Sequence, residues 1–387
     1  MALLARVREV AVVRRDNKTD WVMFSAVLVL SALGLLMIYS ATRRGGAFSM
    51  ERQMIFVAAG MIIFLIASNI DYREYRGTVP AAFALMVILL LTVFLFEESG
   101  GAQRWIPLGF FKLQPAEFAK VVVIVTLANL LAPSLRVEAP GHRPLPWSKV
   151  GQAVAVVAPP AVLIFLEPDL GTMMVFGFVL FAMLFVAGAT WRQMLTLGST
   201  AVAGAAAVWV FRDKLLRPHQ LARFEALFDE NADPETIGYQ LNQSKGAIGS
   251  GRLTGKGLFT EGTLTDFDYI PLQENDFIFT AVAEQLGLLG GLFVLAAFAV
   301  VVWRLLAISA NSRDRFGALI AAGAAAMIAF HVFINVGMTI GIMPVTGLPL
   351  PFLSQGGSFY MAMALALGIT NSVWLMRTPV PTENQLI

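Results

Sequence analysis

Few side chains in this 387-residue chain could do chemistry within its long apolar runs, and three stand out: Glu117, Lys120 and Glu284. A charge facing lipid costs on the order of 2.5–3.5 kcal/mol or more, so all three must face the interior. Glu117 and Lys120 are spaced i,i+3 on one helix face and can pair. A buried structural ion pair and a role in substrate binding stand level for them. Glu284 lies eight residues beyond Asp276, on a similar helix face and roughly 12 Å deeper at 1.5 Å per residue. That placement suggests either a hydrated cavity or a carboxylate satisfied by hydroxyls of a neighbouring helix.

A second group sits at the ends of the apolar runs. In Glu167-Pro168-Asp169, Pro168 breaks the helix and Asp169 is placed to cap the next one. Asp276 opens another run, below Pro271-Leu272-Gln273-Glu274-Asn275. Its bland role is also an N-cap, yet a base at such a membrane mouth could reach a lipid-linked head group. Peptide dipoles would favour its ionised form. The run Gly249-Ser250-Gly251-Arg252-Leu253-Thr254-Gly255-Lys256-Gly257 fits neither the nucleotide phosphate loop nor the dinucleotide fingerprint. What remains is that its backbone N–H groups, with Arg252, Lys256 and Lys245, could bind a phosphate or pyrophosphate. A tightly turned surface loop explains it equally well.

The elements that position these residues follow from composition. Charged residues make up 14% of the chain and hydrophobic residues 57%. An average soluble chain carries about 25% charged residues. The deficit excludes a solvated globular surface and predicts an all-α, polytopic membrane protein. The absence of cysteine excludes disulfides, Cys-based metal sites and thiol nucleophiles. The three histidines, His142, His219 and His331, are too scattered to form a metal site.

Charge-free stretches predict ten transmembrane helices, at 21–41, 53–70, 78–96, 116–132, 150–166, 171–189, 192–211, 277–306, 317–343 and 358–376. This defines an N-terminal tail at 1–20, a membrane domain at 21–376 and a C-terminal tail at 377–387. Lys and Arg number 15 on the side bearing both termini, against five in the opposite short connections. The positive-inside rule therefore predicts cytoplasmic termini. A near-span first apolar run argues against a cleavable signal peptide. The large outer loop, 212–276, falls between helices 7 and 8. It holds an amphipathic stretch, His219 to Asp229, expected to lie along the membrane surface, and then seven glycines between Gly238 and Gly262. Two further segments, Glu97 to Pro115 and Pro344 to Ser358, read as re-entrant or interfacial elements.

Taken in order, several segments resemble the SEDS proteins (shape, elongation, division and sporulation), the RodA/FtsW group. They include Gly101-Ala102-Gln103-Arg104-Trp105-Ile106, Gln114-Pro115-Ala116-Glu117-Phe118-Ala119-Lys120 and Glu167-Pro168-Asp169-Leu170-Gly171-Thr172. Gly238-Tyr239-Gln240, Asp276-Phe277-Ile278-Phe279, Pro344 through Phe352 and Ser354-Gln355-Gly356-Gly357-Ser358 continue the match almost to the end. The resemblance implies ten transmembrane helices in the bacterial cytoplasmic membrane. It also implies polymerisation of lipid II, the undecaprenyl-pyrophosphate disaccharide-pentapeptide, into glycan strands on the outer face. The family's essential aspartate falls on Asp276, and its important polar positions on Arg104, Glu117, Lys120 and Asp169. One departure is that Leu272 and Asn275 stand where the family commonly has Glu and often Thr. Implied partners are a class B penicillin-binding protein transpeptidase and other elongation-machinery membrane proteins. No nucleic acid is implied, and the wording leans to the elongation type over the division type.

On this reading Asp276 takes the proton from the acceptor sugar's 4-hydroxyl, which attacks the donor's anomeric carbon in one inverting displacement. Arg104, Lys245, Arg252 and Lys256 are candidates to stabilise the departing pyrophosphate. A divalent cation, Mg or Mn, could assist there, although no protein ligand set announces one. The competing classes are a lipid-linked precursor flippase, which the intramembrane Glu117, Lys120 and Glu284 would also suit, and an inactive scaffold for a transpeptidase.

Overall fold

The structure, a computed structural model, describes residues 18–44, 49–97, 103–109, 111–132, 145–215, 220–223, 237–267 and 269–377. Nearly all of both tails, and all of the amphipathic stretch except Gln220 to Arg223, lie outside the described residues. Ten helices of 17 residues or more coincide with the ten apolar runs. They are α1 (Trp21–Thr42), α2 (Ser49–Asn69), α3 (Tyr75–Thr92), α4 (Pro115–Leu131), α5 (Trp147–Leu166), α6 (Leu170–Val186), α7 (Trp191–Val210), α9 (Ile278–Ala310), α10 (Arg315–Thr339) and α11 (Gly357–Leu375). An additional helix, α8 (Ile237–Gly251), precedes α9. Among the described residues, eight helices are long and apolar enough to cross a membrane. The shortfall from ten has a physical reason. Helices α4 and α6 are 17 residues each, about 25 Å at 1.5 Å per residue against a hydrocarbon core near 30 Å. Both begin at a polar cavity, which Gln114, Glu117, Asp169 and Thr172 help to line.

Capping fixes several helix starts. Asp20 accepts from the Met23 N–H at 3.0 Å and pairs with Arg304 at 2.6 Å, joining α1 to α9. Thr190 and Gln193 form a capping box on α7, and Asp314 accepts from the Gly317 N–H at the head of α10. Helices α10 and α11 are the most buried and form the axis of the bundle, whereas α7 packs lightly at the edge. The segment 97–115 holds the one departure from an all-α fold among the described residues. It is a two-stranded antiparallel hairpin, β1 (Ile106–Pro107) and β2 (Lys112–Leu113), pairing Ile106 with Leu113.

Helix α9 is broken at Gly287, whose φ of 67° and ψ of −164° are non-helical. A break in a membrane helix frees backbone groups that lipid cannot satisfy. Here the glycine-rich segment supplies the partners. Lys256 N–H donates to the Glu284 carbonyl at 3.0 Å and Gly257 N–H to the Gln285 carbonyl at 3.0 Å. In return Leu288 N–H donates to the Arg252 carbonyl at 2.8 Å and Leu289 N–H to the Leu253 carbonyl at 3.1 Å.

This arrangement corrects two expectations. The segment is no phosphate cradle, because the amides of Lys256 and Gly257 already bind α9 and residues up to Gly251 are helical. Nor does Glu284 line a hydrated cavity. Its fully buried carboxylate accepts from Lys256 Nζ at 2.7 Å, the N–H groups of Leu264 and Thr265 at 3.0 and 2.9 Å, and the Thr265 hydroxyl at 2.7 Å. The hydroxyl comes from the 212–276 connection rather than from a neighbouring helix.

The plug depends on two glycines, Gly255 and Gly287, that leave no room for a side chain. Gly255 has φ of 80°, and a Cβ there would overlap the Gln285 carbonyl. Gly255→Ala is expected to lower stability by about 1–3 kcal/mol or more. At Gly249, on α8, a Cβ meets nothing within 4 Å, and Gly249→Ala is expected to be neutral or to stabilise by up to about 1 kcal/mol. Thermal unfolding of the purified variants in detergent checks the contrast.

Candidate active site

A cavity of about 350 Å³ opens where the first turns of α4, α6 and α11 meet the chain just before α9 and the segment between α10 and α11. That last segment cannot be helical, since Pro344, Pro349 and Pro351 interrupt it. It is held as an extended strap. Asn335 of α10 donates to the Leu348 carbonyl and to the Asp276 carbonyl, both at 2.7 Å, clamping strap and active-site turn together. Gln355 N–H donates to the Glu274 carbonyl at 2.8 Å, and Ser354 Oγ accepts from Leu350 N–H at 2.8 Å. On the facing wall, Ser358 Oγ accepts from Gln114 N–H at 3.0 Å and donates to the Lys112 carbonyl at 3.2 Å.

The cavity brings together Asp276, Asp169 and the pair Arg104 and Glu117 from three distant parts of the sequence, with Gln114, Asn275 and Leu272. Asp169 combines two roles. It caps α6 by accepting from Thr172 N–H at 3.0 Å, and its other oxygen accepts from the Thr172 hydroxyl at 3.0 Å and from Gln114 Nε2 at 3.4 Å. Arg104 stands 3.8 Å from that oxygen, and its guanidinium donates to the carbonyls of Glu167, at 3.1 Å, and Pro168. Asp276 is not an N-cap: α9 is capped by Phe277, without a side-chain bond.

Asp276 instead faces Gly347 of the strap, where an added Cβ would stand 3.2 Å from its Oδ2 and 3.7 Å from Nη1 of Arg223. Gly347 has φ of 73°, so its turn and the approach of both charges require glycine. Arg223 also donates to the Thr346 carbonyl at 3.0 Å. The carboxyl of Asp276 is pushed up to about 6. Burial raises it most, Arg223 and Arg104 pull it down, and Asp169 and Glu274 push it further up. Desolvation therefore outweighs the pull of the two guanidiniums. Glu167, at the bend between α5 and α6, is pushed up to about 8 by burial and by Asp169. Neither of its carboxyl oxygens has a hydrogen-bond partner among the described residues.

Beneath the cavity, Lys120 Nζ lies 2.6 Å from Glu117 Oε2, 3.1 Å from His331 Nε2 and 5.3 Å from the centre of the Phe359 ring. His331 Nδ1 is 3.2 Å from the Pro349 carbonyl. A carbonyl can only accept, so Nδ1 carries the proton and Nε2 accepts from the ammonium. Glu117 thus reaches Pro349 of the strap through two buried side chains, Lys120 and His331.

The other sequence candidates are not brought to this cavity. Lys256 is bonded to Glu284, Arg252 leaves the end of α8 at φ of 50° with its carbonyl on α9, and Lys245 packs against Gly341. Sequence reasoning missed Arg223, Asn335 and His331. Arg223 fell within the expected surface helix, and the other two are single polar residues in α10 whose partners lie elsewhere in the chain. Among the described residues no group of three or more His, Asp or Glu is placed to hold a metal ion, and no step below runs through one.

A helical bundle long enough to span a bilayer, with a carboxylate-and-arginine cavity at one end, defines a multi-pass membrane protein with an enzyme-like site. The chain belongs to the FtsW/RodA/SpoVE family of cell cycle proteins, whose model matches residues 20–378. Peptidoglycan glycosyltransferase MrdB of Escherichia coli (strain K12) is 35% identical over 371 residues, covering 92% of this chain and 96% of that protein. Stage V sporulation protein E of Bacillus subtilis (strain 168) is 33% identical, covering 93% and 98%. Among solved structures, a chain of a peptidoglycan synthase complex, described as coordinating polymerization and crosslinking, matches with TM-score 0.77 and 28% identity over 92% of this chain and 97% of that one. The rod shape determining protein RodA of Thermus thermophilus matches with TM-score 0.68 and 25% identity, over 94% and 98%.

The Glu117–Lys120 pair makes a quantitative prediction. Glu117→Ala leaves a buried ammonium without its counter-charge and is expected to cost about 3–5 kcal/mol, whereas Glu117→Ala/Lys120→Ala recovers part of that loss. A double-mutant cycle on thermal stability in detergent checks it.

Proposed function

We propose that this protein is a peptidoglycan glycosyltransferase that polymerises lipid II, with Asp276 as general base. The observation that carries the reading is a half-buried carboxylate in a cavity, raised to about 6 by desolvation and flanked by two guanidiniums. Near neutral pH such a group is ionised yet basic enough to take a proton efficiently. It accepts the proton of the acceptor's 4-hydroxyl as the oxygen lone pair forms the bond to the donor's anomeric carbon. The bond from that carbon to the pyrophosphate oxygen breaks with its electron pair, inverting the centre. Charge accumulates on the departing pyrophosphate, and Arg104 and Arg223 are the cations at hand to stabilise it. Both are held by backbone carbonyls, so little reorganisation is needed.

The ten-span count, the membrane domain at 21–376 and cytoplasmic termini follow from hydropathy and the Lys/Arg asymmetry, and place the cavity at the outer face. An elongation role is supported by the MrdB and RodA relatives, and a transpeptidase partner by the likeness to a synthase-complex chain. The pairing of Lys120 with Glu117 and of Glu284 with Lys256 favours polymerisation over transport. Charges already matched to one another do not form an open polar path.

Purified full-length protein supplied with labelled lipid II tests the reading. Asp276→Asn is expected to reduce glycan polymer by about 100-fold or more without loss of thermal stability. An ionised carboxylate held above its ordinary pKa opposes folding at pH 7, so the amide should leave stability unchanged or raised. A folded Asp276→Asn protein polymerising at the wild-type rate overturns the assignment. Lipid II movement across vesicles without lengthening would favour the flippase.

A further inference from the structure

At the end of the bundle opposite the Asp276 cavity lies a larger one, of about 700 Å³. It is formed where α4 and α9 end, where α10 begins, and where α3 makes its first turn. Its lining includes Arg76, Arg313 and Arg315 and one carboxylate, Asp314. That carboxylate is fully engaged, one oxygen accepting from the Tyr72 hydroxyl at 2.7 Å and the other from Gly317 N–H at 2.8 Å. The lining hydroxyls are engaged too, Ser309 donating to the Ala318 carbonyl and Ser312 to the Asp314 carbonyl. No ion pair joins any of the three arginines to a carboxylate among the described residues. Arg76 lies over the Phe316 ring at 4.7 Å, which holds its guanidinium at the cavity. Three cations around a cavity whose own acceptors are taken call for an anion from outside the protein.

The surface below the cavity identifies the kind of anion. On α9, Ala310 of the lining shares a helix face with Leu306 and Trp303, at i−4 and i−7. Both are large and exposed, at 50% and 59%. A cationic cavity continuing directly into an exposed apolar stripe on a membrane helix matches a head group with acyl chains rather than a soluble ion. We propose that this cavity binds the phosphodiester head group of an anionic membrane lipid, Arg76, Arg313 and Arg315 holding the phosphate and the Leu306–Trp303 face carrying the chains. The site is independent of the glycosyltransferase reading.

The test uses full-length protein equilibrated with phosphatidylcholine vesicles doped with cardiolipin, extracted in mild detergent and weighed by native mass spectrometry. Wild type is expected to retain cardiolipin. Arg76→Gln/Arg313→Gln/Arg315→Gln should lose it by a factor that grows roughly fivefold per guanidinium, while Arg192→Gln, outside the cavity, behaves as wild type. If the triple variant does not fold, Arg313→Gln and Arg315→Gln are read singly for the smaller loss. Retention unchanged in the folded variants overturns the proposal. So does equal loss in Arg192→Gln, which would mean a diffuse surface charge, or displacement by millimolar inorganic phosphate, which would mean a soluble anion.

Discussion

A charge removed from water must be neutralised, hydrogen-bonded or protonated, because its desolvation otherwise amounts to several kcal/mol. In a bundle solvated by lipid this constraint acts on every ionisable group, and how completely each one meets it sorts structure from chemistry. Glu284 meets it fully, with an ammonium, two amides and a hydroxyl around one carboxylate. Glu117 meets it through Lys120, whose other side is held by His331. Asp276 meets it incompletely: two guanidiniums lie near, yet burial still prevails and the carboxyl remains raised. The least satisfied ionised group at the mouth of the cavity is the one suited to take a proton.

The same rule applied to the backbone explains the unusual parts of the fold. Breaking α9 at Gly287 exposes carbonyls and amides, and the chain after α8 answers them with matched backbone bonds. That plug also delivers Lys256 to Glu284, so one element satisfies a broken helix and a buried charge together. On the other side the proline-rich strap between α10 and α11 has no helical ladder, and side chains such as Asn335 and Ser354 tie it down. Because Asn335 binds both the strap and the Asp276 carbonyl, Asp276 and the wall it faces are set by one amide.

Much of this was legible in the sequence, for identifiable reasons. Long charge-poor runs bounded by polar residues satisfy their backbone in lipid as helices, which is why helices appear where the runs predict them, eight of them, among the described residues, long and apolar enough to cross a membrane. The family resemblance, rather than charge counting, singled out Arg104, Glu117, Asp169 and Asp276, and all four line one cavity. What stayed hidden depended on partners far apart in the chain. Gly287 sits in an apolar run with other glycines, and nothing local marks it as a break. The glycine-rich segment resembled a ligand loop because its true partner, the α9 backbone, has no sequence signature. Arg223 and His331 acquire meaning only when Gly347 and Lys120 are brought beside them. Of the two readings open for Glu284, the satisfied carboxylate holds, although its hydroxyl partner, Thr265, lies in the connection before α9 rather than on a neighbouring helix.

The account's central claim is that Asp276 is a base tuned by desolvation against nearby arginines. The pH dependence of glycan polymerisation, measured for wild type and Arg223→Gln, tests it most directly. Activity in wild type should fall as pH drops through about 6. The acid limb should move to higher pH in Arg223→Gln, because removing a neighbouring cation raises the carboxyl further. An acid limb near the ordinary aspartate value of about 4, or one indifferent to Arg223→Gln, would contradict it.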